Sequence, residues 1–138
     1  MIKGFKGKYR WLSNFPDCEV IQDGWHWRSP EYAYQAAKTL NPCAKLLIAL
    51  AKTPGEAKKL GRKLEVREDW EDVKLRIMED LQRQKYNQEP WRTKLLETGD
   101  AYIEETNTWN DTFWGVCNGV GENHLGKIIM KIRDEMKA

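Results

Sequence analysis

The stretch from Ser29 to Lys38 reads Ser-Pro-Glu-Tyr-Ala-Tyr-Gln-Ala-Ala-Lys, and it begins the first helix that the sequence predicts. Ser29 is a favoured N-cap residue. Pro30 fits the first turn of a helix, because the amide hydrogen that proline lacks has no helical partner there. The pair therefore predicts a helix from Glu31 to about Leu40.

One face of this predicted helix is polar. Positions i, i+3, i+4 and i+7 share a face of an α-helix. Here they carry an acid, a phenol, an amide and an amine, on Glu31, Tyr34, Gln35 and Lys38. Spacing alone favours an ordinary solvated surface. The functional alternative is a polar cluster that faces a pocket, in which burial lowers the pKa of Lys38 towards a nucleophilic amine and Glu31 raises it again.

Turn and capping signals on either side of this stretch predict a hairpin and two further helices. Asp23-Gly24 favours a tight turn with positive φ inside the segment from Cys18 to Trp27. Asn41-Pro42 opens a second helix that runs through Lys52. Thr53-Pro54-Gly55-Glu56 is a capping-box pattern, and it opens a third helix that ends near Gly61.

The second half of the chain is also mainly helical. A long helix is predicted from about Glu68 to Tyr86, because its apolar residues fall on one face at helical spacing. Those residues are Trp70, Val73, Ile77, Met78 and Leu81. Pro90 restarts a helix that ends at Gly99, Ala101 to Glu105 form a short strand, and the last helix starts at about Glu122. We therefore predict an α+β fold, with one mainly helical domain over residues 1–138 and a small β-sheet.

Composition narrows the class of protein. The chain of 138 residues is long enough for one core, and its seven tryptophans offset a modest aliphatic content. A net charge of +2 excludes a polybasic surface of the kind that binds nucleic acid tightly and nonspecifically. Three separated cysteines and two isolated histidines predict neither a disulfide framework nor a zinc site. Without a signal peptide or a membrane-spanning stretch, we expect a cytoplasmic protein that uses no metal or cofactor.

A second group of functional candidates lies between Glu104 and Gly115. Glu104, Glu105 and Asp111 are interleaved with indoles, among them Trp114. Carboxylates with indoles suit a sugar or nucleotide site, because the indole stacks on a ring and the acids bind hydroxyls or stabilise positive charge. The alternative is a strand edge followed by a capped loop, with the tryptophans in the core.

Two further segments have weaker signals. In the run from Tyr9 to Phe15, Arg10 is able to grip a phosphate bidentately while Asn14 orients a base or hydroxyl; otherwise the rings of this run fill the core. The run from Gly119 to Gly126 opens the last helix, but its glycine spacing fits neither a dinucleotide fingerprint nor a Walker loop.

Taken in order, these motifs resemble the NADAR (YbiA-like) family. The resemblance begins with Phe5-x-Gly7-x-Tyr9-Arg-Trp-Leu-Ser-Asn-Phe15 and the stretch from Ser29 to Lys38. It continues through Ala57-Lys-Lys-Leu-Gly-Arg62, Trp70-x-x-x-Lys74, Leu96-x-Thr-Gly-Asp100, Asp111-x-x-Trp-Gly115 and Gly121-x-Asn-x-Leu-Gly126. It covers nearly the whole chain, and the ordered set is highly specific although each piece is not.

Membership of this family implies a mainly helical fold and an N-glycosidase activity. One associated substrate is ADP-ribose attached to the amino group of guanine in nucleic acid, which implies functional pairing with an ADP-ribosyltransferase toxin. The other is a ribosyl-aminopyrimidine phosphate intermediate of riboflavin synthesis. The stretch between Glu104 and Asp111 is longer here than in the riboflavin-linked members, which favours the ADP-ribosyl-guanine substrate.

The resemblance also assigns site residues. The polar positions of the family map to Glu31, Lys38, Glu104, Asp111 and Trp114. The pair Lys85-Tyr86 matches a lysine–aromatic pair of the family, and Lys85 is our second choice for a reactive amine.

Cleavage of a ribosyl C–N bond puts positive charge on the sugar and needs an acid for the departing nitrogen. The hypothesis gives these roles to Glu104 and Asp111, with Glu31 also in the site. The competing route uses Lys38 as a nucleophile that forms a Schiff base with the ring-opened sugar. Trp114 stacks on a ring and Arg10 holds a phosphate. The remaining predicted substrate contacts are Trp11, Asn14, Phe15, Tyr34, Gln35, Lys85, Gly115 and Asn123.

Two other classes of function stay open at this point. A noncatalytic ADP-ribose or nucleotide binding module would need the tryptophans and Arg10, but not the lysine and the acids together. A purely structural role would make all these polar residues ordinary surface residues that contact no ligand.

Overall fold

The structure is a computed structural model that describes residues 1–138. Six helices, six short strands and a 3-10 helix follow one another along the chain. In the first half these are β1 (Ile2–Lys3), the 3-10 helix (Gly7–Leu12), β2 (Val20–Gln22), β3 (Trp25–Trp27), α1 (Pro30–Ala37), α2 (Pro42–Ala49) and α3 (Pro54–Arg62). In the second half they are α4 (Trp70–Tyr86), α5 (Trp91–Glu97), β4 (Ile103–Glu104), β5 (Thr106–Asn107), β6 (Val116–Cys117) and α6 (His124–Lys137). The predicted α+β class with mainly helical content is confirmed.

The chain folds as two compact units. The central unit comprises Asn14–Lys85, and the terminal unit comprises Met1–Ser13 with Tyr86–Ala138. The organisation of residues 1–138 as one domain stays a prediction. No helix has both the length and the apolar character needed to cross a lipid bilayer.

In the central unit, α1 packs against α2, α3 and the hairpin of β2 and β3. The hairpin is antiparallel and pairs Val20 with Trp27, and its turn places Asp23 and Gly24 at positive φ, as predicted. Asn41 and Thr53 cap α2 and α3 with their side-chain oxygens. The predicted hairpin and the predicted caps at Asn41 and Thr53 are therefore confirmed.

The start of α1 differs from the prediction in its hydrogen bonding. Ser29 has the extended backbone of an N-cap residue, but its hydroxyl is buried and makes no hydrogen bond. The backbone amide of Glu31 donates instead to the carbonyl oxygen of Asn14, at 3.1 Å. The predicted side-chain cap at Ser29 is thus wrong, because a neighbouring loop occupies that end of the helix. The helix ends at Ala37 rather than near Leu40.

The terminal unit contains two small parallel sheets and two helices. β1 pairs with β4 through Ile2 and Ile103, and β5 pairs with β6. The helix α6 packs on β4 and α5. Its apolar face is buried through Leu125, Ile128, Ile129 and Ile132. The strand β4 is shorter than the predicted range from Ala101 to Glu105.

Candidate active site

The polar face of α1 is buried. Glu31 and Tyr34 are each 8% exposed and Gln35 is 3% exposed. The Tyr34 ring packs on the Trp70 ring of α4, with centroids 5.3 Å apart. The interpretation of this face as a solvated surface is therefore wrong, because α3 and α4 cover it. Burying polar groups is costly unless they are paired, so their partners matter.

Glu31 and Gln35 form a fixed pair on this face. The amide nitrogen of Gln35 donates to Oε2 of Glu31 at 2.7 Å. The amide oxygen of Gln35 has no hydrogen-bond partner and packs where Gly61 of α3 carries no side chain. A Cβ atom at position 61 would overlap this amide. Gly61 thus permits a close approach of α3 to α1, which holds Gln35 against Glu31.

Asn14 joins α1 to α4. Its carbonyl accepts from the amide of Glu31, and its side-chain oxygen accepts from Nε2 of Gln82 at 2.7 Å. The predicted role of Asn14 was to orient a base or hydroxyl, whereas the visible contacts make it a brace between two helices. Gln82 was missed by sequence reasoning, although it lies one turn after Met78 on the apolar face of α4. A polar residue on an apolar face is the signal that identifies it.

Lys38 lies at the C-terminal end of α1 and is partly exposed. Its Nζ is 5.4 Å from the centroid of the Tyr34 ring. Desolvation lowers the pKa of Lys38 and the charge of Glu31 raises it, as the sequence predicts. The charges of three cations, Lys58, Arg62 and Lys74, lower this pKa further, which the sequence reading did not anticipate.

Lys85, on the last turn of α4, is the most buried cation of the central unit. It is 1% exposed, and burial lowers its pKa to about 7, with a small opposing effect of Cys18. Burial in turn raises the pKa of the Cys18 thiol. At neutral pH the Lys85 amine is therefore deprotonated in a large fraction of molecules, which is the state in which an amine is a nucleophile.

In the terminal unit, Glu104 is a buried carboxylate with two hydroxyl donors. The Tyr102 hydroxyl donates to Oε1 at 3.1 Å, and the Thr106 hydroxyl donates to Oε2 at 2.6 Å. Desolvation raises the pKa of Tyr102, and the hydrogen bond to Glu104 and the charge of Glu104 add to this. These two hydroxyl groups hold the Glu104 carboxylate in a fixed orientation.

Asn123 and Gly115 hold the backbone around Glu104. Asn123, at a φ of 53°, accepts from the amide of Glu105 at 3.0 Å and donates to the carbonyl of Ile103 at 3.0 Å. At Gly115 a Cβ atom would overlap Glu105. Both residues were predicted to contact substrate, but their visible contacts fix the segment that carries Glu104.

Asp111 forms a turn that positions Trp114. Its Oδ1 accepts from the backbone amides of Phe113 and Trp114, at 3.2 and 2.9 Å. The half-buried Trp114 ring meets the Phe113 ring edge-on, with centroids 4.8 Å apart. One oxygen of Asp111 therefore has a structural task, which leaves Oδ2 for any contact with a substrate.

Two substitutions of Asp111 separate these roles. Asp111→Asn retains an oxygen that accepts from both amides, so the fold is expected to lose less than about 0.5 kcal/mol, whereas Asp111→Ala loses the turn and about 1 kcal/mol. If the charge also serves catalysis, Asp111→Asn lowers kcat strongly at unchanged stability. Urea unfolding beside steady-state kinetics measures both. Equal kinetics in Asp111→Asn and the parent protein would show that Asp111 serves only to form the turn.

The amino-terminal candidates divide between the units. Arg10 is exposed in the terminal unit, and its guanidinium makes no hydrogen bond or ion pair. Trp11 is half-buried in the same unit, and Phe15 is half-buried in the central unit. No three His, Cys, Asp or Glu side chains lie close enough together to hold a metal ion.

Comparisons with known proteins match almost the whole chain. The NADAR domain family matches residues 3–137. The N-glycosidase Npun_R5314 of Nostoc punctiforme is 39% identical over 137 residues, which cover 94% of this chain and 86% of that protein. The riboflavin biosynthesis protein VVA0006 of Vibrio vulnificus is 34% identical over 130 residues. The match covers 91% of this chain but spans only 35% of the Vibrio protein.

A solved structure is similar over the same length. The NMR structure of the E. coli protein YbiA superposes with a TM-score of 0.86 at 31% identity. This match covers 99% of the present chain and 84% of the E. coli chain. Sequence and backbone therefore relate the chain to the same group of proteins.

Proposed function

The chain belongs to the NADAR family and is an N-glycosidase, a hydrolase of N-glycosyl bonds, and we propose that it cleaves the bond between a ribosyl carbon and the nitrogen of a base or amine. The observation that carries this proposal is the buried polar face of α1, where Glu31 is held by Gln35 beside the partly exposed amine of Lys38. A buried, oriented carboxylate with a nearby amine of lowered pKa suits acid–base or covalent chemistry at a sugar carbon.

Carboxylates stabilise the positive charge that develops on the ribosyl carbon. Glu104 is suited to this task, because two hydroxyl donors fix the orientation of its carboxylate. Glu31 is the candidate for proton transfer to the departing nitrogen. Asp111 contributes through Oδ2 and through its hold on Trp114, whose indole is available to stack on a ring.

An amine nucleophile offers a second route. The lysine attacks C1 of the ring-opened sugar, the base nitrogen leaves with a proton, and water then hydrolyses the Schiff base and releases the lysine. Lys38 and Lys85 are the two candidates, since burial lowers the pKa of both. Lys38 is the more exposed amine, and Lys85 is the amine with the larger neutral fraction at pH 7.

The proposed substrate is ADP-ribose attached to the amino group of guanine in nucleic acid. Trp109, which is 51% exposed in the segment between Glu104 and Asp111, supports a large substrate because an exposed indole stacks on bases. This substrate pairs the enzyme with an ADP-ribosyltransferase that makes the modification. The second candidate is a ribosyl-aminopyrimidine phosphate, which the printed name of the Vibrio relative favours.

A release assay followed by mass spectrometry tests both substrates side by side. One is an oligonucleotide that carries ADP-ribose on guanine, and the other is a ribosyl-aminopyrimidine phosphate. We expect restored guanine and free ADP-ribose, with kcat reduced about 10²-fold or more in Glu31→Gln and Lys38→Ala. Lys59→Ala, at an exposed position of α3, is the control. Release from the ribosyl-aminopyrimidine phosphate alone would identify the second candidate as the substrate. Release from neither compound would overturn the proposal.

A further inference from the structure

We propose that Lys38, Lys58, Arg62 and Lys74 form a binding site for the phosphate group of the substrate. These residues are called the cation cluster below. The inference rests on the proposed function, because both candidate substrates carry ribose with a phosphate ester. It assigns ligand binding to three side chains to which the sequence analysis gave no role, and it gives Lys38 a role beside that of a nucleophile.

The packing of α3 on α1 brings two of these cations to Lys38. Gln35 meets α3 at Gly61, which fixes this part of α3 against the C-terminal half of α1. Lys58 and Arg62 are four residues apart on α3 and therefore share one face beside that contact. Their charges both act on the amine of Lys38.

A second contact brings the fourth cation from α4. The Tyr34 and Trp70 rings touch, and Lys38 and Lys74 each follow one of these rings by four residues. Each amine therefore lies one helical turn from the ring contact, and the charge of Lys74 lowers the pKa of Lys38. The Lys74 side chain is only 15% exposed and forms an ion pair with Glu71.

The cations of the cluster act on one another. The charges of Lys58, Arg62 and Lys74 all lower the pKa of Lys38, whereas the charge of Glu31 raises it. Glu31 is hydrogen-bonded to Gln35, and the Glu71 side chain is 77% exposed. Repulsion among like charges is costly, and a bound dianion relieves it. The cluster is therefore electrostatically suited to a phosphate monoester or diphosphate.

The cluster also has donors available for an anion. Arg62 is exposed and makes no hydrogen bond or ion pair, and its planar fork fits two phosphate oxygens. The Nζ of Lys38 contacts only the Tyr34 ring and donates no hydrogen bond. With a net charge of +2 on the whole chain, a local cluster binds one phosphate group rather than a long polyanion.

Titration calorimetry on the full chain with ribose 5-phosphate, ribose and ADP-ribose tests this site. We expect ribose 5-phosphate to bind at least about tenfold more tightly than ribose, and Arg62→Gln and Lys58→Gln to weaken that binding about tenfold or more. Lys59→Gln is the matched control, because Lys59 lies on the same helix but outside the cluster. ADP-ribose shows which kind of phosphate the site accepts. If Arg62→Gln and Lys58→Gln also weaken the binding of ADP-ribose, the site binds a diphosphate as well as a phosphate monoester.

Equal binding of ribose 5-phosphate by the parent protein, Arg62→Gln and Lys58→Gln would overturn the cation cluster as a phosphate site. An equal loss of binding in Lys59→Gln would also overturn it, because the loss of any positive charge on α3 would then explain the weaker binding. These outcomes do not depend on turnover. Hydrolysis of either substrate with unchanged binding in the variants would refute the cluster alone, whereas variant-sensitive binding without hydrolysis would refute the proposed function alone.

Discussion

Replacement of Lys85 with methionine is expected to remove the activity and to stabilise the folded protein at pH 6. The amine is 1% exposed, and its pKa is about 7 in the fold against about 10.5 when exposed. Methionine fills a similar volume without a polar group. Lys85 lowers the stability of the folded protein at neutral pH, and methionine at this position would raise it. A need for the amine in the reaction explains why a destabilising lysine is found there.

The sign of the pH dependence follows from proton binding. Between pH 10 and pH 7 the unfolded chain holds a proton on Lys85 that the folded protein releases, so the folded state loses stability as the pH falls through this window. The loss reaches roughly 5 kcal/mol and is constant below pH 7. We therefore expect Lys85→Met to stabilise the protein by several kcal/mol at pH 6 and by much less at pH 10.

Urea unfolding of Lys85→Met and the parent protein at pH 6, 8 and 10 measures this difference. Lys59→Met, at an exposed position of α3, controls for the loss of an amine. The same gain in stability at all three pH values would contradict the expected titration of Lys85. Borohydride added during turnover, followed by peptide mapping, then shows whether an adduct forms on Lys85, on Lys38 or on neither.

Local signals predicted the helices well, because capping and turn residues act over a few neighbours. Asn41 and Thr53 cap the helices that follow them, and Asp23-Gly24 makes the predicted turn. The apolar face of α4 is also buried as predicted. These features depend on spacing within one segment, which a single sequence contains.

The candidate site was harder to predict, because its properties depend on what packs across each helix. The spacing of Glu31 and Gln35 identifies a polar face, but only Gly61 and Trp70 of other helices explain its burial. The pKa of Lys85 likewise depends on burial, which its position on an apolar face suggests but does not quantify. Asp111 was identified as a carboxylate among indoles and then by resemblance, but its hydrogen bonds to two backbone amides require the folded loop.

Gly61→Ala is expected to destabilise the protein by about 2–3 kcal/mol and to remove most of the activity. The added methyl group overlaps the Gln35 amide, whose nitrogen holds Oε2 of Glu31 at 2.7 Å. Displacement of that amide releases the carboxylate from its fixed orientation. Gly55→Ala on the same helix is the control, since a Cβ atom there meets only Thr53 Oγ1 at 3.8 Å. That control is expected to stabilise the protein by up to about 1 kcal/mol, because alanine favours a helix over glycine.

The double variant Gly61→Ala/Gln35→Ala tests whether the overlap with Gln35 is the cause. With the amide removed, the new methyl group lies 3.2 Å from the Cβ of residue 35, a tight but tolerable contact. We expect the two substitutions to be non-additive by about 1–2 kcal/mol, so that the double variant is more stable than the sum of the single effects implies. Activity should stay low, because the hydrogen bond from Gln35 to Glu31 is then lost. Additive losses of stability would place the strain elsewhere in α3, and recovered activity would show that Glu31 functions without Gln35.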